Sequence, residues 1–252
     1  LHPVAHSFPT RRSSDLAEAV AEMSALSEAS LEDLIQEHCA AWDAAWQRAD
    51  VAIEGDPETQ HALRFSLFHL LQLENAHDED VSLGAKGLHG NGYQGKVFWD
   101  TEVYMLPFYL FTNPAAAKML LEYRFRRLDA ARTNARAHDR AGAKFPWQSA
   151  DDGLAATFRA DGWQEHQHGD IAHAVDLYCA ATEDQEFRRN EGAELTFAIA
   201  RYYADRVSYD AGRECYITEN MGGPDEIHTG VSNNAFSNYL IAWVMRRASA
   251  LL

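Results

Sequence analysis

The chain has 252 residues, of which 46% are apolar and 24% charged, enough to bury one large core. Its 22 basic and 38 acidic side chains give a net charge of −16, which repels nucleic-acid phosphates and anionic lipid headgroups. We therefore expect no nucleic acid and no membrane among its partners. The cysteines at positions 39, 179 and 215 fit neither a zinc-site spacing nor a disulfide framework, which favours a reducing, cytoplasmic setting.

The amino terminus is interpreted separately. Residues 8–16, FPTRRSSDL, match the translation of a common sequencing-adapter oligonucleotide. We therefore interpret residues 1–16 as a non-native leader, with an ordinary disordered tail as the alternative. Acidic residues interrupt the place where the apolar region of a signal peptide would lie. Under the adapter interpretation, the chain is a fragment of a longer gene product.

From about residue 30 the pattern predicts one helix after another. Ser30 begins an S-x-x-D capping pattern, and apolar residues then recur every three or four positions as far as Trp46, which predicts an amphipathic helix. Asp56 followed by Pro57 is typical of a cap and first turn. The apolar residues that follow, as far as Leu71, predict a second helix that is buried on most sides.

Four further helices are predicted, and no strand ladder. They run from Asn113-Pro114 to about Ala137, from Asp170 to Thr182, from Glu186 to Val207, and onward from a cap at Ser232. Long loops at 74–97, 141–169 and 209–231 are rich in glycine, tryptophan and charge, and loops of this length in a compact domain are usually functional. Periodicity alone predicts an all-α globular fold.

Several motifs occur in order along the chain. They include GYQGKVFWDTE at 92–102, FPWQS at 145–149, and GGPDEIH at 222–228 with VSNNA at 231–235. From about Trp42 to its end, the chain resembles glycoside hydrolase family 65, the inverting disaccharide phosphorylases and related trehalases. The resemblance implies an all-α fold in which linker helices at 17–56 precede a partial (α/α)6 catalytic barrel at 57–252. It also implies that this chain lacks the part of the active site that binds the nucleophile.

The resemblance implies a reaction as well. An α-linked glucosyl disaccharide is cleaved with inversion to β-glucose 1-phosphate and a sugar acceptor. Glu226 is then the general acid, inorganic phosphate is nucleophile and co-substrate, and no cofactor is needed. Partial burial or the negative charge of Asp225 would raise the pKa of Glu226. In the structural alternative, Glu226 and His228 only cap the helix at Ser232.

Trp99 and Asp100 are the candidate glucosyl contacts, because indoles stack on the C–H faces of sugars and carboxylates accept hydrogen bonds from hydroxyl groups. Alternatively, Asp100 is the N-cap of a helix and Trp99 packs beside it; both interpretations are compatible. Trp147 and Gln148 form a second candidate pair, with plain loop packing as the alternative. Some family members carry Glu at the position of Gln148, which bears on acceptor preference.

Two weaker candidates complete the predicted substrate site. Tyr93 lies among glycines that let a ligand approach the backbone. Asn233 either contacts substrate or holds the catalytic loop.

Two other clusters of residues are interpreted as structural. His166, His168 and His173 have a spacing that does not suit a metal site on a helix, so no metal is expected. A run of arginines is interpreted as a solvated helix face with ion pairs, and a phosphate-binding role is the alternative. The run comprises Arg124, Arg126, Arg127, Arg132, Arg136 and Arg140.

Two alternatives to the phosphorylase remain at this point. One is a hydrolase of the same family that uses activated water, such as a trehalase or a kojibiose hydrolase. The other is a noncatalytic helical scaffold that binds carbohydrate or protein. The expected partners are a disaccharide and phosphate, and a homodimer is a candidate assembly.

Overall fold

The structure is a computed structural model that describes residues 16, 19–21, 23–24, 27, 29–76, 78–90, 92–150, 153, 163–225 and 227–252. Apart from Leu16, the predicted leader lies outside the described residues. The chain divides into two compact units, Leu1–Arg64 and Phe65–Leu252. Within the ranges given above, no helix is long and apolar enough to cross a bilayer.

The described part of the chain is dominated by helices. In order, the elements are α1 Leu31–Ala49, α2 Pro57–Leu71, a 3-10 turn Gly92–Gly95, a π-helical turn Thr101–Met105, α3 Leu106–Thr112, α4 Pro114–Arg126, α5 Leu128–Ala137, α6 His166–Thr182, α7 Gln185–Phe187, a second π-helical turn Arg188–Gly192, α8 Ala193–Arg206, β1 Ser208–Asp210, β2 Cys215–Ile217 and α9 Ala235–Ala250.

Helix α1 begins with the predicted capping box. The Ser30 hydroxyl accepts a hydrogen bond from the Asp33 backbone N–H at 3.1 Å, and the Asp33 carboxylate accepts one from the Ser30 N–H at 3.3 Å. The apolar face of α1 is largely exposed, with Leu31 74% and Ile35 48% accessible. The sequence therefore predicts the start of this helix correctly. Its apolar periodicity, however, does not correspond to a buried face.

Helix α2 begins at Pro57 as predicted, and the Asp56 carboxylate accepts a hydrogen bond from the Thr59 N–H at 3.0 Å. The prediction that α2 is buried on most sides is wrong. Leu67 and Leu71 are buried, whereas Phe65 is 61% exposed. Apolar residues around a helix make burial favourable, but the elements that pack against it decide which of them are covered.

Helix α6 is the centre of the second unit and packs against α3, α4, α8 and α9. Close approach to α9 depends on Gly169, because a Cβ atom there would lie 2.3 Å from Cγ of Leu240. The Gly169 N–H also donates a hydrogen bond to the Tyr203 hydroxyl at 2.9 Å. These contacts fix the amino-terminal end of α6, which forms part of the candidate site described below.

Several predicted helix boundaries are wrong. The helix predicted from Asn113-Pro114 to Ala137 breaks at Arg127 into α4 and α5, and α6 begins at His166 rather than at Asp170. The helix predicted at 186–207 is interrupted by a π-helical turn. The last helix is capped by Asn234, whose side chain accepts a hydrogen bond from the Ser237 N–H at 3.1 Å, and not by Ser232.

The expected absence of a strand ladder is also wrong at one place. Strands β1 and β2 pair antiparallel, with Ser208 opposite Ile217. Asp210 shapes the turn, since its carboxylate accepts a hydrogen bond from the Gly212 N–H at 2.9 Å. Strands of three residues are too short to show a clear alternating pattern in the sequence.

Candidate active site

A short backbone pairing brings two distant motifs together. Val97 and Ser149 form an antiparallel bridge, with N–H···O distances of 3.2 and 2.9 Å. Trp99 and Trp147 consequently lie side by side, with ring centroids 6.3 Å apart and planes tilted by 30°. Trp147 is buried, while Trp99 is partly exposed. The two predicted sugar-contacting indoles thus belong to one aromatic cluster.

A buried ion pair stabilises the segment that carries Trp99. The Arg124 guanidinium donates hydrogen bonds to both Glu102 carboxylate oxygens, at 2.7 and 2.9 Å, and to the Phe98 carbonyl at 3.2 Å. Burial alone would lower the pKa of Arg124, but the adjacent Glu102 carboxylate raises it overall. The interpretation of Arg124 as part of a solvated face is therefore wrong.

Other arginines of that run do form ion pairs near the surface. Arg126 pairs with Glu79, and Arg132 pairs with Asp129 at 2.9 Å and with Glu194 at 2.6 Å. For these two residues the structural interpretation agrees with the contacts observed.

Asp100 directly follows Trp99, the partly exposed indole of this aromatic cluster. It occupies the N-cap position of the π-helical turn at Thr101–Met105, yet its side chain makes no capping hydrogen bond. Asp100 is partly exposed. This geometry does not favour the capping alternative, and it leaves the carboxylate able to accept hydrogen bonds from a sugar.

Tyr93 and Gln148 flank the two indoles along the sequence. Tyr93 is 54% exposed, adopts a left-handed backbone conformation with φ +59°, and meets Phe98 edge-to-face at 5.1 Å. Phe98 in turn meets Trp147 edge-to-face at 6.3 Å. Gln148 is partly exposed beside Trp147. Tyr93 therefore lies at the periphery of the cluster, and Gln148 follows its buried indole in the sequence.

Helix α6 contributes a histidine to the same cluster. The His166 ring lies edge-to-face with Trp99 at 4.7 Å and with Trp147 at 5.2 Å. Its Nδ1 atom is 2.6 Å from the Asp170 carboxylate, one helical turn further along. Burial raises the pKa of Asp170, although the His166 hydrogen bond opposes this shift.

The GGPDEIH motif begins beside the start of α6. Gly222 pairs with Gln164, its N–H donates to the Trp163 carbonyl at 2.6 Å, and its own carbonyl accepts a hydrogen bond from the Ser237 hydroxyl at 3.1 Å. The predicted general acid, Glu226, lies outside the described residues. The described start of its loop thus pairs with a residue two positions before His166, the histidine that contacts both indoles.

Asn233 helps to hold this loop. Its side-chain oxygen accepts a hydrogen bond from the Thr218 N–H at 3.2 Å, and its own N–H donates to the Thr218 carbonyl at 2.9 Å. These contacts favour the loop-holding interpretation over direct substrate contact. A substrate-binding role for Asn233 remains a prediction.

Asp225 is exposed, and its carboxylate contacts Nδ1 of His228. The His228 hydrogen bond lowers the pKa of Asp225, so this carboxylate is ionised at neutral pH. It is next to Glu226 in the sequence. If Glu226 is the predicted acid, a negatively charged neighbour of this kind would disfavour its ionisation and raise its pKa.

His168 lies deeper, among Phe145, Tyr202 and Tyr203, and is fully buried. Burial lowers the pKa of His168 well below its ordinary value. The unfolded chain therefore takes up a proton first as pH falls below about 6.5, and the stability contributed by the neutral ring is lost.

We expect acidification from pH 7.5 to 5.5 to destabilise the parent protein more than a His168→Phe variant. The additional loss approaches about 1.4 kcal/mol for each pH unit below about 6.5. Urea unfolding of both proteins at several pH values measures this difference. Equal pH slopes for the two proteins would contradict the prediction.

A model of the glycosyl hydrolase family 65 central catalytic domain matches residues 64–252. The chain belongs to glycosyl hydrolase family 65. The predicted membership is thereby confirmed.

Relatives within family 65 include kojibiose phosphorylases and a trehalose phosphorylase. The chain is 44% identical to the kojibiose phosphorylase of Caldanaerobacter subterraneus subsp. tengcongensis and 45% identical to that of Thermoanaerobacter brockii, over 86% of the chain and 30% of each relative. It is 41% identical to the α,α-trehalose phosphorylase of T. brockii over 77% of the chain and 25% of that protein. The chain therefore spans less than a third of the length of these relatives.

A solved structure of a candidate kojibiose phosphorylase from the human microbiome superimposes with a TM-score of 0.90 at 28% identity, covering 96% of the chain and 34% of that structure. This match confirms the predicted all-α fold, an incomplete helical barrel. The family 65 domain thus carries its loops and its aromatic cluster on packed helices.

Three residues beside the indoles were not among the predicted site residues: His166, its partner Asp170, and Phe236, whose ring lies edge-to-face with His166 at 5.8 Å. An available signal was the H-x-x-x-D spacing of His166 and Asp170, which aligns the two side chains on one helix face. It was missed because the helix was predicted to begin at Asp170. In the described ranges, no group of three His, Cys, Asp or Glu side chains is arranged to hold a metal ion.

Proposed function

We propose that the full-length protein containing this chain cleaves an α-linked glucosyl disaccharide by phosphorolysis, with inversion, to β-glucose 1-phosphate and a free sugar. The observation that carries the proposal is the shared location of Trp99, Trp147 and the start of the GGPDEIH loop around one end of α6. The kojibiose and trehalose phosphorylases among its relatives support the substrate class.

In this mechanism the glucosyl ring stacks against Trp99, and the Asp100 carboxylate accepts hydrogen bonds from its hydroxyl groups. Trp147 and Gln148 contact the sugar from the other side of the cluster, and Tyr93 closes its outer edge. An inverting reaction needs a proton for the leaving oxygen and a nucleophile on the opposite face of the sugar.

Glu226 supplies that proton. Its carboxyl group protonates the glycosidic oxygen while the C1–O bond breaks, and a phosphate oxygen forms the new bond to C1 from the opposite face. The proton carried by hydrogen phosphate then restores Glu226. Phosphate is already anionic and nucleophilic, so no protein base is required. Asn233 maintains the loop that carries the acid.

The decisive experiment varies the substrate and the nucleophile together. The full-length protein is incubated with kojibiose, trehalose, nigerose and maltose, each with and without phosphate, and NMR follows the products. We expect phosphate-dependent formation of β-glucose 1-phosphate, with kojibiose as the first candidate because of the relatives described above. Release of free glucose without phosphate would identify a hydrolase instead. Failure to consume any of the four sugars would contradict the proposed function.

A further inference from the structure

Buried polar atoms without partners are concentrated at one place. Among the described residues, six buried side-chain nitrogen or oxygen atoms have no hydrogen-bond partner, and five of them belong to residues 164–168. Leaving buried polar groups unpaired costs free energy, so native proteins pair nearly all of them. Among these groups, the one whose ring lies at the candidate sugar site is placed to take a partner from outside the chain.

His166 is the one of these residues whose ring contacts the indole pair. Its Nδ1 atom is bound to Asp170, which fixes the orientation of the ring, and its Nε2 atom is unpartnered. Nε2 lies at the far edge of the imidazole, directed away from Asp170. Trp99, Trp147 and Phe236 surround the ring edge-to-face, with centroids 4.7, 5.2 and 5.8 Å from it.

Phe236 is the most exposed of the three aromatic rings that surround His166. It lies in the first turn of α9 and is 42% exposed, whereas the His166 side chain is fully buried. Trp147 is held in the core and Trp99 is only partly exposed. Phe236 is therefore the ring whose displacement exposes Nε2 with the least loss of packing.

We propose that Nε2 of His166 hydrogen-bonds one hydroxyl group of the glucosyl ring at Trp99 and Trp147, with Asp170 as the positioning residue that orients the imidazole. This inference rests on the proposed function. A sugar hydroxyl both donates and accepts hydrogen bonds, so it pairs with Nε2 in either tautomer. On binding, the Phe236 ring turns outward and the sugar takes its place over the imidazole edge.

The test measures kcat/KM of the full-length protein with the active disaccharide and with its 2-, 3-, 4- and 6-deoxyglucosyl analogues. For His166→Phe we expect a loss of about 10- to 100-fold with the parent sugar. With the single analogue that lacks the bonded hydroxyl, the loss should shrink to within about threefold, because neither partner of the hydrogen bond remains. Asp170→Asn should show a smaller loss that shrinks with the same analogue.

His168→Phe is the matched control, because it removes a second buried imidazole of α6 whose ring contacts Phe145 and two tyrosines instead of the indoles. Its effect should be the same for every analogue. If His166→Phe does not fold, His166→Asn replaces it, since the Asn amide can still donate to Asp170 but cannot reach the Nε2 position.

A His166 loss that is equal for all analogues, or no loss at all, would overturn the inference. Failure of the proposed function is distinguishable, because the parent protein itself would then convert none of the disaccharides.

Discussion

Replacing Glu226 by Gln in the full-length protein should lower kcat for the disaccharide by about 10²- to 10⁴-fold while leaving the fold intact. The amide has nearly the same shape as the carboxyl group but cannot donate a proton to the leaving oxygen at a useful rate. Initial rates of β-glucose 1-phosphate formation measure the loss, and circular dichroism checks the fold.

The leaving group separates acid catalysis from a binding role. An α-glucosyl fluoride needs no proton for departure, so the variant should lose less than about tenfold activity with this donor. Asp225→Asn is the neighbouring control, since it removes an exposed carboxylate from the same loop. We expect this control to lose little activity but to shift the fall of the rate on the alkaline side to lower pH, because Glu226 then ionises more readily. If Glu226→Gln retained more than about a tenth of the disaccharide activity, the assignment would be wrong.

The second large effect concerns the buried pair of Arg124 and Glu102. Arg124→Met leaves the Glu102 carboxylate without its guanidinium partner at a site where both side chains are at most 2% exposed. Breaking a buried pair in this way costs about 3–5 kcal/mol of unfolding free energy. The Phe98 carbonyl also loses its bond to the guanidinium, so the segment that carries Trp99 and Asp100 should become less well ordered. Urea unfolding measures the stability loss, and KM for the disaccharide reports on the segment.

Two controls establish that the effect comes from an uncompensated buried charge. Arg132→Met removes the same side chain from a partly exposed pairing with Asp129 and Glu194, and should cost less than about 1 kcal/mol. The double variant Glu102→Leu/Arg124→Met removes both charges and should recover most of the stability lost by Arg124→Met alone. A single Arg124→Met variant as stable as the Arg132→Met control would contradict the prediction.

Local sequence signals predicted helix starts well where the signal lies within one turn. The capping box of Ser30 and Asp33 and the Asp56-Pro57 start are interactions between residues three positions apart or fewer. Signals of the same type failed at Ser232, because Asn234 two residues later offers an equally suitable capping side chain.

In the candidate site, too, the sequence predicts individual residues but not the long-range contacts between them. Trp99 and Trp147 were both predicted as sugar contacts, but their adjacency comes from the pairing of Val97 with Ser149, which are more than fifty residues apart. His166 was interpreted only as a rejected metal ligand. Its contacts with both indoles appear once α6 begins four residues earlier, at His166.

By itself the sequence determined the family, the all-α class and the side chains able to do sugar chemistry, because motifs and helix caps are properties of neighbouring residues. The tertiary structure alone decided that Arg124 is buried against Glu102, that most of α2 is exposed, and that His166 joins the two indoles. The burial and pairing of a side chain depend on contacts between residues far apart in the chain. The apolar periodicity of one segment does not specify which other segment packs against it.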